Sequence, residues 1–332
     1  MSMTLFATFV ADDQNPVGPS ISEEHAPAET PRSADTEPPV PQPATPVPKI
    51  PFKNDQLAAL WRVFQYGAMA VVLYFILNLL MYALMQRIAS PIRLGLIAEI
   101  GLAVTALAPA FVLSRLEERP WGEYGLPPAG LFGKLFWSGA AWGLIAISIL
   151  MLGLRLTGAY DIERMSLHGG KILKFAVYWG GFFLIVGVFE EFLMRGYTQF
   201  TLTKAIGFWP SALLLSSGFA AIHLNNPGET APGIVAAGVI GFFFCLTLRR
   251  TGNLWFAVGF HASWDWGESF LYSVANSGEM SPGHLLRSHI HGPAWLNGGS
   301  AGPEGSVLLF VLMALLWIVF DRTHRKAQYP SH

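Results

Sequence analysis

The feature that most constrains this chain is a series of long apolar segments that continues almost to the C-terminus. A helix that crosses a membrane needs about 20 mostly apolar residues. Eight segments come close to this requirement, and we expect each of them to form a transmembrane helix. They cover approximately residues 63–85, 94–114, 131–153, 175–194, 208–224, 233–249, 254–272 and 305–320.

The composition agrees with a membrane protein. Charged residues make up 13% of the chain, against roughly 25% in an average soluble protein. We therefore predict an all-α, polytopic membrane helix bundle of about eight transmembrane helices, in contact with membrane lipid. The net charge of -1 and the lack of a basic patch argue against a nucleic-acid partner. A single cysteine, Cys245, excludes an intrachain disulfide framework.

The N-terminal region has a different composition. Residues 16–51 contain 11 of the 23 prolines, and residues 1–50 hold seven acidic and two basic residues, a net charge of -5. A segment rich in Pro, Ser, Thr and Glu without apolar periodicity cannot bury enough surface to offset its chain entropy. We predict that residues 1–50 are a disordered, acidic, Pro-rich tail and that residues 51–325 form the integral-membrane domain.

The distribution of Lys and Arg predicts the orientation. With eight spans, the side that carries both termini has thirteen Lys and Arg residues near the membrane, and the opposite side has seven. Cytoplasmic loops carry the excess of positive charge in membrane proteins. The sequence therefore predicts a multi-pass protein of the cell membrane with both termini in the cytoplasm.

Ionisable residues inside apolar segments are candidates for function. A charge at the bilayer centre costs about 2.5–3.5 kcal/mol on insertion scales. Three of the predicted helices carry such residues: Glu190, Glu191 and Arg195 in the fourth, His223 in the fifth, and His261 and Asp265 in the seventh.

Helical spacing separates the two glutamates. Glu191 and Arg195 are four residues apart, a spacing that favours an ion pair. Glu190 lies about 100° around the helix and therefore remains free for chemistry. Because Gly196 does not break a helix by itself, we expect the fourth helix to continue to about Thr203 and to place Glu190 near the middle of the membrane.

The other two segments carry imidazoles. His261 and Asp265 share a helix face, and Phe219 lies one turn before His223. One carboxylate, two imidazoles and a further polar group on three helices suit a hydrolytic centre. The carboxylate of Glu190 can take a proton from water, and imidazoles can hold that water or bind a metal.

Each residue also has a simpler interpretation. Glu191 and Arg195 can be a structural pair only, His223 an interfacial residue, and His261 a hydrogen-bonded bridge between helices. In the second segment we expect Glu99 to pair with Arg93. A loop with three further histidines could bind a metal, although a solvated loop is the simpler reading: His284, His289 and His291.

Taken together, the three motifs resemble the CAAX-protease and bacteriocin-processing family, also called the CPBP or Abi family. Its members show E-E-x-x-x-R, F-x-x-x-H and H-x-x-x-N or H-x-x-x-D in this order. Here the motifs are Glu190-Glu191-x-x-x-Arg195, Phe219-x-x-x-His223 and His261-x-x-x-Asp265, within residues 175–272.

The resemblance implies an intramembrane endopeptidase that acts on a peptide or protein at the membrane. In that family's pattern, Glu190 and His223 activate the attacking water, and His261 and Asp265 complete the site. Glu191, Arg195 and Phe219 would support the motifs.

The resemblance leaves a metalloprotease and a glutamate protease open, since the family has been described as both. Zinc is a possible cofactor, with Glu190, His223 and His261 as its ligands, although the His-Glu-x-x-His motif of zincins is absent. Asp265 stands where the eukaryotic prenyl-protein enzymes have Asn, and an ionised Asp favours a metal.

Two other classes of function stay open. The intramembrane Glu and His residues could form a proton path in a transporter, although no internal repeat is evident. The chain could also be a non-catalytic membrane scaffold or an immunity protein. The sequence does not identify the substrate.

Overall fold

The fold is known from a computed structural model that describes residues 54–85, 87, 88, 91–226 and 228–329. The predicted tail, residues 1–50, lies outside the described residues, and its disorder stays a prediction. The described part is built mainly from helices, and all eight apolar segments contain one. The helices are α1 Asp55–Met85, α2 Pro91–Leu116, α3 Lys134–Leu156, α4 Gly170–Arg195, α5 Tyr197–Ile206, α6 Phe208–His223, α7 Ala231–Thr251, α8 Trp255–Trp266, α9 Ala294–Asn297 and α10 Val307–Thr323.

This arrangement confirms the predicted all-α, multi-pass membrane bundle, but not the count of eight spans. Among the described residues, five stretches are long and apolar enough to cross a membrane: α1, residues 92–116 of α2, α3, the stretch from α4 to the end of α5, and α7. The helices α6, α8 and α10 have 16, 12 and 17 residues. At 1.5 Å per residue they measure about 24, 18 and 26 Å, less than the roughly 30 Å of a hydrocarbon core.

The fourth helix does not continue past Arg195 as expected. The backbone leaves the helical conformation at Gly196 (φ -81°, ψ -125°), and α5 starts at the next residue. A Cβ atom at Gly196 would lie 2.5 Å from the carbonyl oxygen of Phe192, so the tight break requires glycine. The two helices together still form one apolar stretch, Gly170–Ile206, and Glu190 lies near its middle.

The central contact of the bundle joins α3 and α8. A Cβ atom at Gly139 would lie 2.0 Å from the carbonyl oxygen of Phe256, and one at Gly259 would lie 2.1 Å from that of Phe136. Small residues allow helices in a membrane to approach this closely. Nine of the twelve residues of α8 are buried, so this contact fixes the helix that carries His261.

A small antiparallel sheet covers one end of the bundle. Strand β1, Tyr160–Met165, pairs with β2, Leu286–Ile290, with a bulge between Ile162 and Arg164. His289 lies 3.1 Å from Glu163, and His291 contacts Asp161. His284 contacts the carbonyl oxygen of Ser281. Each of the three histidines of this loop therefore contacts a nearby carboxylate or carbonyl oxygen.

Candidate active site

A cavity of about 480 Å³ lies among α2, α4, α6, α7, α8 and the segment that follows α8. Glu190, His223, His261 and Asp265 all line it, although up to 75 positions (265 minus 190) separate them in the chain. The structure therefore brings these four predicted site residues together, and their roles in catalysis stay a prediction. His223 lies at the end of α6, and His261 lies in the middle of α8.

Two carboxylates approach one nitrogen of His261. The Nε2 atom of His261 lies 3.5 Å from an oxygen of Glu190 and 3.5 Å from an oxygen of Asp265. Asp265 is buried, whereas the side chain of Glu190 keeps 25% of its surface exposed. Glu190 is therefore the carboxylate of the site that a water molecule or a substrate can reach.

Glu191 has a second partner that its sequence position did not predict. The expected ion pair is present, with 3.2 Å between Arg195 Nη1 and Glu191 Oε1, and both side chains are fully buried. The same oxygen lies 3.0 Å from Nδ1 of His261. Because Glu191 is paired with the guanidinium of Arg195, its carboxylate oxygen accepts the hydrogen bond and Nδ1–H of His261 donates it. Glu191 thus fixes the ring of His261 with Nε2 toward the cavity.

Arg195 is held by aromatic rings as well as by Glu191. Its guanidinium carbon lies 4.6 Å from the ring centre of Phe219 and 5.9 Å from that of Phe244, which is cation–π geometry. A Cβ atom at Gly241 would lie 2.2 Å from Nη2 of Arg195, so α7 needs glycine there to make room.

Phe219 links the first two motifs. Its ring contacts Arg195 on one side and His223 on the other, with 4.6 Å between the ring centres of Phe219 and His223. His223 Nδ1 lies 2.8 Å from the carbonyl oxygen of Phe219. Since a carbonyl only accepts, Nδ1 carries the proton and Nε2 keeps a lone pair for a ligand.

Glu99 does not pair with Arg93 as expected. No ion pair joins them in the described part of the chain, and Glu99 lines the cavity instead. The rotation of α2 against α4 decides this orientation, and apolar periodicity alone did not reveal it. Glu279 and Glu304, from the segment after α8, also line the cavity. They lie outside every helical pattern, and no sequence signal marked them.

The predicted zinc ligands are not assembled as a metal site. Structural and catalytic zinc ions take at least three protein ligands at about 2.0–2.3 Å. Within the described residues, no group of three or more His, Cys, Asp and Glu side chains is placed to hold a metal ion. The geometry therefore gives no support to the predicted ligand set of Glu190, His223 and His261, and zinc as a cofactor stays an untested alternative.

Comparison with known proteins supports the resemblance seen in the motifs. Residues 172–267 match the family model described as type II CAAX prenyl endopeptidase Rce1-like. The match runs from the start of α4 to just after α8 and contains all three motifs, which confirms the resemblance to the CPBP family over this region. It supports an intramembrane protease of CAAX type. No curated protein and no solved structure matches the chain.

Proposed function

We propose that this protein is an intramembrane endopeptidase in which Glu190 activates water. The observation that carries the proposal is the cavity, where the exposed carboxylate of Glu190 meets His223, His261 and Asp265 from two other helices. A buried ion pair, Glu191 with Arg195, holds the ring of His261 in place from behind. A scaffold would have no need of this arrangement of ionisable groups, each of which is costly in a membrane.

In the proposed reaction, Glu190 takes a proton from a water molecule, and the hydroxide adds to the carbonyl carbon of the peptide bond. His223 orients that water by accepting a hydrogen bond at Nε2. His261 donates from Nε2 to the developing oxyanion, with Asp265 balancing the charge of its ring. The C–N bond then breaks, and Glu190 returns its proton to the leaving nitrogen.

The direct test is peptide cleavage by the purified protein and its Glu190→Gln variant. This substitution keeps the shape of the side chain and removes the base, so we expect cleavage to fall by about 10²–10⁴-fold. Glu123→Gln is the matched control, since Glu123 lies on the surface and its side chain is 50% exposed. Equal cleavage by wild type and Glu190→Gln would refute the proposal, and proton flux without cleavage would favour a transporter.

Metal dependence is tested separately. Bound zinc would polarise the substrate carbonyl, but no step proposed above requires it. We expect a chelator to leave cleavage unchanged. Zinc found at one equivalent in the purified protein, with cleavage lost on chelation and restored by zinc, would replace the glutamate mechanism by a metal one.

The orientation belongs to the proposal as well. From the excess of Lys and Arg we place both termini in the cytoplasm. The single native cysteine, Cys245, is buried, whereas Ala327 after α10 is exposed, so a cysteine introduced at Ala327 would be the accessible one. An impermeant maleimide should label it only after the cells are opened.

A further inference from the structure

The cavity holds more negative charge than the proposed chemistry uses. The described residues that line it include no Lys or Arg, and two of them, His223 and His261, carry imidazoles. Five carboxyl groups face the same space: Glu99, Glu190, Asp265, Glu279 and Glu304. The mechanism employs Glu190 and Asp265, so three carboxyl groups remain to be explained.

One of these three has its own partners. Glu304 accepts hydrogen bonds from the backbone N–H of Ser277 at 3.1 Å, from its hydroxyl at 2.8 Å, and from Nε1 of Trp264 at 3.2 Å. It therefore ties the segment after α8 to α8 itself and has a structural role.

Glu99 and Glu279 have no such partners. Neither side chain makes a hydrogen bond or an ion pair within the described part of the chain, and both line the same cavity as Glu190. Like charges that line one cavity repel each other. A cation placed between them would remove this repulsion.

A separate observation points to a ligand in the same cavity. Ser269 lines it and is only 1% exposed, yet its hydroxyl has no hydrogen-bond partner among the described residues. A buried polar group left without a partner costs about 1–3 kcal/mol. The hydroxyl is thus available to a polar ligand that enters the cavity.

The aromatic part of the cavity lining can bind a long basic side chain better than it can bind a metal ion. Four aromatic residues of α4 line the cavity: Tyr178, Trp179, Phe182 and Phe183. Aromatic faces attract a cation and also cover the aliphatic stem of Lys or Arg. The volume of about 480 Å³ lies within the range of ligand pockets. A metal ion would need grouped ligands, and the described residues provide no such group.

We propose that this cavity binds a basic side chain, Lys or Arg, of the peptide substrate and that Glu99 and Glu279 receive its charge. The inference rests on the proposed endopeptidase function and names its substrate class. Glu99 and Glu279 are specificity-determining residues here, and they take no part in bond cleavage.

The test compares peptide pairs that differ only in Lys against norleucine at one position, scanned along the peptide. We expect wild type to cleave the best Lys peptide with a kcat/KM at least about tenfold above that of its norleucine partner. The double variant Glu99→Gln/Glu279→Gln should lose this preference, mainly through a higher KM for the Lys peptide. Glu123→Gln is again the control, and it should keep the preference.

A charge-reversal variant provides a second test in case the double variant does not fold. Glu279→Lys changes an exposed residue and should disfavour the Lys peptide relative to one that carries Glu. A wild-type enzyme without preference between Lys and norleucine, or a preference unchanged in both variants, would overturn the inference.

Binding separates this inference from the proposed function. The Glu190→Gln protein retains Glu99 and Glu279, so a fluorescent Lys peptide should bind it at least about tenfold more tightly than the norleucine peptide. Selective binding without any cleavage by wild type would support the cation site and refute the endopeptidase. Equal binding of both peptides would overturn the inference, whether or not peptides are cleaved. Stoichiometric Ca²⁺ binding that depends on Glu99 and Glu279 and excludes the Lys peptide would also overturn it.

Discussion

The helices α1 and α8 are both strongly apolar, yet they occupy opposite environments. α1 has 31 residues, and only 6% of its most apolar window is buried inside the protein. α8 has 12 residues, of which nine are buried. In water both helices would have to bury their apolar surface in a protein core. In a membrane, apolar surface can instead face the lipid chains without cost. What brings α8 inside is its glycine contact with α3 and the polar residues that need partners.

The largest effect should come from the glycines beneath α8. Gly139→Leu would force a side chain into the backbone of α8 at Phe256, and we expect a destabilisation of more than about 4 kcal/mol and little folded protein. Gly67→Leu on α1 is the matched control, since no atom lies within 4 Å of a Cβ there. The yield of monodisperse protein in size-exclusion chromatography measures both. A normal yield of Gly139→Leu would mean that α8 does not need this close contact.

The next largest effect should come from the central ion pair. Glu191→Gln leaves the fully buried Arg195 without a counter-charge, which costs about 3–5 kcal/mol in comparable pairs. The surface pair of Arg119 with Glu123 should contribute less than about 1 kcal/mol, so Glu123→Gln should melt like wild type. Thermal unfolding, monitored by tryptophan fluorescence in the same detergent, compares the stability of the two variants with that of wild type. Suppose that Glu191→Gln removed cleavage but left stability unchanged, and that Glu190→Gln kept wild-type cleavage. The roles of the two carboxylates would then be the reverse of those assigned here.

Removal of the N-terminal region should have no effect on stability or cleavage. Since residues 1–50 have no apolar periodicity, we predict that they contribute no packed contact to the bundle. A chain that starts at Phe52 should match the full chain in melting temperature and in cleavage rate. Altered turnover at constant stability would point to a regulatory tail, and a large drop in stability would show that this region is folded.

The smallest measurable effect is expected in the two-stranded sheet of β1 and β2. A hydrogen bond from His289, with help from the Arg287 guanidinium, lowers the pKa of Glu163 below its ordinary value of 4.5. Because the pKa of Glu163 is lower in the folded than in the unfolded chain, its ionised form stabilises the fold at pH values above the unfolded pKa. This stabilisation is lost as the pH falls through the pKa of the folded state. Hydrogen exchange in residues 160–165, corrected for the intrinsic rate, should therefore accelerate below about pH 4. Glu163→Gln should remove this dependence, and unchanged protection in wild type would contradict it.

The sequence was sufficient for the features that depend on local pattern. Long apolar runs predicted the helices, and the cost of charge in a membrane directed attention to Glu190, His223, His261 and Asp265. Spacing by four residues correctly paired Glu191 with Arg195. Each of these inferences needs only one helix at a time.

The remaining features depend on contacts between distant segments. The second partner of Glu191, His261, lies 70 positions away, and the strand partners Tyr160 and Ile290 are farther apart still. The break at Gly196 was also missed, although it is a local feature: the carbonyl oxygen that a Cβ atom there would meet belongs to Phe192, four residues earlier. The cavity position of Glu99 depends on how α2 is rotated against its neighbours. Hydropathy carries no information on any of these points.

The shortness of α6 has a consequence for the surrounding bilayer. At about 24 Å this helix is shorter than an average hydrocarbon core, and its Leu213, Leu214 and Ile222 are exposed. Where a helix of this length crosses the bilayer, we expect the lipid beside it to thin locally, at a cost of fractions of a kcal/mol for each ångström of hydrophobic mismatch. His223 ends this helix, and we predict that such a thinned patch would bring the aqueous phase nearer to the cavity. Vesicles of short-chain lipids should therefore suit this protein better than vesicles of long-chain lipids.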